Sequence, residues 1–187
     1  MPNDIQQWAS FIANIVTILS VLGLLISILG WVFWKKQQNY SFIRDKLSEQ
    51  ELCLTNLLLS FQSTMENYFS LRKNELSAAN DMEIEQVRKK FELSYDTLKA
   101  NNSRYDVNHI FISNLAFKKT TGYQIDRIHI DAVNLPSLLI RFDFLKKEMD
   151  KIESIEVIKE KCSFELELVR RTIRDIMIVI VTIRADL

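Results

Sequence analysis

The chain is predicted to be mostly α-helical: a single N-terminal transmembrane helix followed by a cytoplasmic antiparallel helical bundle of coiled-coil-like character, with a short strand around 123–133. Three observations point there. Residues 8–34, WASFIANIVTILSVLGLLISILGWVFW, carry no charge. The 187 residues include only 3 glycines and 2 prolines, too few for a turn-rich all-β fold or a glycine loop that cradles phosphate. Beyond Lys36, the apolar residues recur at spacings of three and four, the period of a helix with one buried face. Residues 1–7 then form a short extracytoplasmic tail, 8–34 the span and 35–187 a cytoplasmic helical domain, with long helices at about 41–79, 81–101 and 136–186.

The span comes first. With a rise of ~1.5 Å per residue, the apolar part from Phe11 to Phe33 is roughly 34 Å long, against a hydrocarbon core of about 30 Å. Trp8 on one side and Trp31 and Trp34 on the other put amphipathic indoles at the two headgroup layers. No Lys or Arg precedes the span, whereas Lys35, Lys36, Arg44 and Lys46 follow it, so the positive-inside rule puts the N-terminus out and the C-terminus in the cytoplasm. A cleaved signal would need a basic start, a shorter apolar stretch and a small-residue cleavage site. The sequence has none of the three. Within the span, Ala13, Ser20, Gly23, Ser27 and Gly30 fall on one heptad seam, with Asn14 beside it. Small residues let helices approach closely in lipid, and a buried amide there seeks a hydrogen-bond partner, so these six residues are the expected helix-association face.

All 24 Lys and Arg follow residue 34, as do all the Asp and Glu except Asp4. So even a mixture gives no electrostatic footprint for nucleic acid. The first helix of the body carries Ile43, Leu47, Leu54, Leu57, Phe61, Met65 and Tyr68 on its seam, with Gln50 as the polar exception. Leu52, Leu58, Leu59 and Phe69 widen the stripe beyond a two-stranded coiled coil, toward a bundle. This seam is one residue out of step with the span's, so the helix is expected to slip phase or break between Asn39 and Ser41. Asn80 and Asp81 cap a second helix through Ile84, Val87, Phe91, Tyr95 and Leu98, which Asn101, Asn102 and Ser103 are expected to end. The basic triplet Arg88, Lys89 and Lys90 lies among Glu83, Glu85 and Glu92 and is expected as a solvated face. Asp106 reads as the cap of a short third helix through Ala116, although HIFISNLAF also alternates as a strand would.

Residues 123–133, YQIDRIHIDAV, alternate as a strand does. Asp126, His129 and Asp131 are of metal-ligand type, but on a strand Asp126 faces away from the other two, and His109 is the only other histidine. No metal or cofactor is expected. Asn134, Leu135 and Pro136 then open the last region, with the proline in the first turn. One seam runs through Leu138, Phe142, Leu145, Met149 and Ile152, and a second from Ile155 to Ile183. The run IMIVIVTI at 176–183 has three readings: the most buried turns of the bundle, a β-strand, or a surface that meets a partner or the membrane. Cys53 and Cys162 sit within apolar helical patterns and are expected as core residues in a reducing compartment.

No catalytic signature occurs: neither G-x-x-x-x-G-K-[ST], G-x-S-x-G nor H-E-x-x-H is present, and enzyme activity is not expected. The favoured function is a single-pass, membrane-anchored interaction or regulatory protein. Its bundle would sit at the bacterial inner membrane, self-associating as a homo-oligomer or binding a cytoplasmic protein. The alternative is a membrane-perturbing effector of a toxin or phage-defence (abortive infection) module, acting through oligomerisation of its transmembrane helix.

Overall fold

The computed structural model describes residues 2–117 and 134–186, with side chains for Trp8, 15–38, 40–113 and 134–185. It is mostly helical (91%), and no strand occurs among the described residues. Four helices follow in order: α1 (Pro2–Leu76), α2 (Asp81–Phe117), α3 (Leu138–Met149) and α4 (Ile155–Asp186). The chain divides into two compact units, Met1–Phe42 and Ile43–Leu187.

Helix α1 carries no break between Asn39 and Ser41, so the expected alternative of a break there is not met. The reason is compositional: from Trp31 to Leu76 there is neither glycine nor proline to interrupt the ladder. The helix closes where Ala79 N–H reaches Asn74 O at 3.1 Å across Ala78, whose φ of 51° is in the left-handed region that glycine usually fills. Asn80 then caps α2, its side-chain oxygen accepting from Met82 N–H at 3.2 Å, with Asp81 and Glu83 in the first turn.

In the unit Ile43–Leu187 the helices alternate in direction around one core. Along α1 and α2, Thr64 pairs with Ser94, Asn56 with Asn101 and Gln50 with Asn108, so the two run antiparallel. Tyr95 with Asp143 and Tyr105 with Leu135 set α2 against the α3 region in the same sense. Arg141 with Glu165 does so for α3 and α4, and Gln62 with Arg170 and Glu51 with Arg184 for α1 and α4. Every residue of the expected α1 seam is buried, Gln50 included. At the centre lies Phe142, fully buried, with the rings of Phe61, Tyr68, Phe91 and Tyr95 at centroid distances of 6.4, 5.9, 6.0 and 5.7 Å. Its contacts with Phe61 and Tyr68 are edge to face, the arrangement that ring quadrupoles favour.

Several boundaries differ from expectation. Helix α2 does not stop at 101 but continues to Phe117, absorbing the separate short helix placed after Asp106. Asn101 and Asn102 fail to end it because their side chains are engaged elsewhere. Asn101 donates to Asn56 O, while Asn102 donates to Asp106 and accepts from Ser137 Oγ and Leu139 N–H. The strand alternative for HIFISNLAF is thereby excluded. The region expected as one helix over 136–186 is two, because residues 150–154 turn. Arg72 donates to the carbonyls of Asp150 and Ile152, Tyr68 Oη donates to Asp150 Oδ1 at 2.6 Å, and Lys146 reaches Asp150 Oδ2 at 3.0 Å. Pro136 precedes α3 rather than starting it, and Ser137 is the cap. The run 176–183 is helical: Ile176, Ile180 and Ile183 are buried, whereas Ile178 and Val181 are exposed. The strand expected at 123–133 lies outside the described residues.

Two expected outcomes follow. Phe142→Ala removes the centre of the aromatic cluster and should cost about 3–5 kcal/mol in denaturant unfolding followed by circular dichroism. The second concerns alkali. Burial, reinforced by hydrogen bonds to Asp150 and Asp143, pushes Tyr68 well above its ordinary value and Tyr95 up to about 12, and burial, with Asp106 adding to it, pushes Tyr105 up to about 12. A phenol held neutral by the fold contributes stability below its unfolded value of ~10, and that contribution disappears as pH rises through the folded value. The thermal midpoint should therefore fall from about pH 10 to 12.

Candidate functional site

Among the described residues of the unit Met1–Phe42, nothing covers the apolar side chains from Ile15 to Trp34. Each residue from 15 to 34 is exposed, and α1 is the one described helix long and apolar enough to cross a membrane. Isoleucine, leucine and valine sustain a helix here despite lying on all its faces. In water such a surface costs roughly 1.5–3 kcal/mol for each large side chain, so this stretch fits lipid or a partner better than solvent.

The small-residue face is partly visible. Ser20 Oγ donates to Val16 O and Ser27 Oγ to Gly23 O, each at 2.8 Å, so both hydroxyls are satisfied within their own helix. A Cβ added at Gly23 or Gly30 would meet nothing within 4 Å. These four positions thus form a shallow, open stripe with no polar hydrogen left for the surroundings to satisfy. Side-chain geometry at Ala13 and Asn14 lies outside the described residues. At the C-terminal end of the stretch Lys35 Nζ sits 5.1 Å above the Trp31 ring, and Lys36 Nζ 5.8 Å above Tyr40. Cation and ring face share one site there, a pairing suited to a polar–apolar boundary.

In the bundle, Lys46, Glu49, Arg104, Asn108 and Phe111 line an open groove of about 370 Å³ between α1 and α2. Lys46 bonds Glu49 at 2.6 Å and lies 5.2 Å over Phe111. The Lys46 hydrogen bond holds the Glu49 carboxyl below its ordinary range, with Arg104 adding to the pull. Charges there already answer one another, as in a surface ion-pair cluster.

Asp126, His129 and Asp131 lie outside the described residues. Among the described residues, no group of three His, Cys, Asp or Glu is placed to hold a metal ion. The His109 ring stacks on Tyr105 at 5.9 Å. Cys53 and Cys162 are buried and free, and burial pushes the Cys162 thiol up to about 11. A protonated, enclosed thiol is a poor nucleophile.

Sequence reasoning overlooked the polar layer between α1 and α2, where Asn108 donates to Gln50 Oε1 at 2.7 Å. A signal was present: Phe91, Leu98, Tyr105 and Ile112 repeat every seven residues straight through the asparagines and place Asn108 on the same face. Comparison with protein-family models, curated proteins and solved structures returns no match.

Proposed function

We propose that this chain is a single-pass, membrane-anchored helical protein without catalytic activity or cofactor. It holds a self-associating or partner-binding bundle at the cytoplasmic face of a bacterial inner membrane. One observation carries the reading: twenty consecutive uncharged helical residues, 15–34, are exposed on every side. A protein surface of that kind is stable when hydrocarbon surrounds it. The Trp31 and Lys35 pair supports an interface at its C-terminal end, and the basic residues that follow support an orientation with the C-terminus inside. The bundle suits binding rather than chemistry, since its core is apolar apart from hydrogen-bonding Gln, Ser, Thr and Asn side chains and its charged groups lie toward the surface, many of them in ion pairs.

A second reading is favoured by the open stripe at Gly23 and Gly30. Several copies could bring these faces together and make the bilayer leak, as an effector of a toxin or phage-defence module would.

Fractionation tests the first reading. The chain should pellet with membranes and resist an alkaline carbonate wash, and a reporter fused after Leu187 should be active only in the cytoplasm; recovery in the soluble fraction would end the proposal. A membrane-potential dye tests the second. Overexpression should depolarise cells, and Gly23→Leu with Gly30→Leu should abolish the effect; unchanged depolarisation in the double variant would exclude it.

A further inference from the structure

The outer face of α3 and α4 carries an apolar strip that nothing among the described residues covers. Ile140 is 71% exposed, Phe144 63%, Phe164 67% and Leu168 38%. The ion pair of Arg141 with Glu165 at 2.6 Å, that of Glu148 with Lys161, and the contact of Met149 with Cys162 at 3.5 Å fix the antiparallel register of the two helices. That register sets Phe144 level with Phe164 and Ile140 level with Leu168. Scattered exposed leucines are ordinary, but two phenylalanines and two aliphatic residues at matching levels of adjacent helices give an apolar strip of roughly 400 Å². This is about half of the ~800 Å² that each partner contributes to a stable interface, the size expected of an apolar centre with a polar rim.

The rim identifies the occupant. On α3 the exposed charge flanking the strip is Lys147, with Lys151 just beyond the helix, whereas the first turns of α4 expose Glu156 and Glu160. In the same register, Lys147 is level with Glu160 and Lys151 with Glu156. Among the other charges nearby, Glu148 pairs with Lys161, Glu167 with Arg171 and Asp143 with Tyr95, while Glu153 and Lys159 are also exposed. We infer that this face binds a second copy of the chain, about a two-fold axis parallel to the helices and midway between α3 and α4. That operation lays α3 of the second copy over α4 at unchanged levels. Phenylalanine then meets phenylalanine, Ile140 meets Leu168, and both lysines meet glutamates, each contact occurring twice. Another protein would need a matching strip and the same charge order; a copy of this chain has both.

The inference deepens the proposed function by naming the bundle's partner, and a membrane would favour it by confining copies to one plane. The contact itself needs no bilayer. Its test is the mass of the purified full-length chain by sedimentation equilibrium, in mild detergent, or in plain buffer should the chain prove soluble; failure of the anchor and failure of the dimer are thus read separately. The wild type should be a dimer at about 10 µM. K147E with K151E, and E156K with E160K, should each weaken dimerisation by about tenfold or more, and an equimolar mixture of the two variants should restore it as a heterodimer. Phe144→Ser with Phe164→Ser should give a monomer of unchanged helix content, and Gly23→Leu with Gly30→Leu should remain dimeric. A monomeric wild type, a dimer indifferent to both charge reversals, no rescue on mixing, or dependence on the glycines instead would overturn the inference. Should a charge reversal unfold the bundle, differently tagged K147C and E160C chains decide the matter: an intermolecular disulfide is expected, and its absence is fatal.

Discussion

Exposing residues 15–34 to water would cost tens of kcal/mol, several times the net stability of an ordinary domain. That constraint organises the molecule. The same helix, α1, is apolar on all faces up to Trp34 and on one side only from Ile43, where Leu47, Leu54, Phe61 and Tyr68 turn to the core. One unbroken backbone therefore carries two different surface patterns, and the change is written in its side chains, with no glycine or proline at the junction.

Beyond that junction, stability is concentrated where helices meet around Phe142, and direction is imposed by polar contacts at the edges. Tyr68, Arg72 and Lys146 converge on Asp150 and its neighbours, where the chain reverses between α3 and α4. Burial opposes ionisation of Asp150, yet the hydrogen bonds from Tyr68 and Lys146 outweigh it and hold its carboxyl below the ordinary range. The reversal is held by the carboxylate form, and acid that protonates it removes that contribution.

Much of this was legible because it depends on period. The α1 seam matches the buried residues, and the seam from Ile155 to Ile183 does so except at Ile155 and Leu166, which are half-buried, since one-sided burial at 3.6 residues per turn leaves its mark directly in sequence. Boundaries were harder. Asn101 and Asn102 have the chemistry of a helix stop, and only partners some 35 to 45 residues away keep them inside one. The turn at 150–154 lacks both glycine and proline and is held by Arg72, far off in the chain. Of the two proposed association faces, the spacing of Ser20, Gly23, Ser27 and Gly30 could be read, whereas the exposure of Phe144 and Phe164 could not. A phenylalanine near a seam is ordinarily placed in the core, and only the three-dimensional neighbours decide.

The amide pair of Gln50 and Asn108 has a consequence of its own. Sliding α1 past α2 by a single turn would leave both amides facing hydrocarbon side chains, a loss of about 1–3 kcal/mol for each stranded group. Leucines elsewhere along that interface would tolerate such a slide, as apolar contacts carry little directional preference. The amide pair, with the contacts of Thr64 to Ser94 and Asn101 to Asn56, therefore works as a set of notches on an otherwise smooth ruler. Exchanging Gln50 and Asn108 for leucine would give a bundle of similar or greater strength with one notch fewer to fix its alignment.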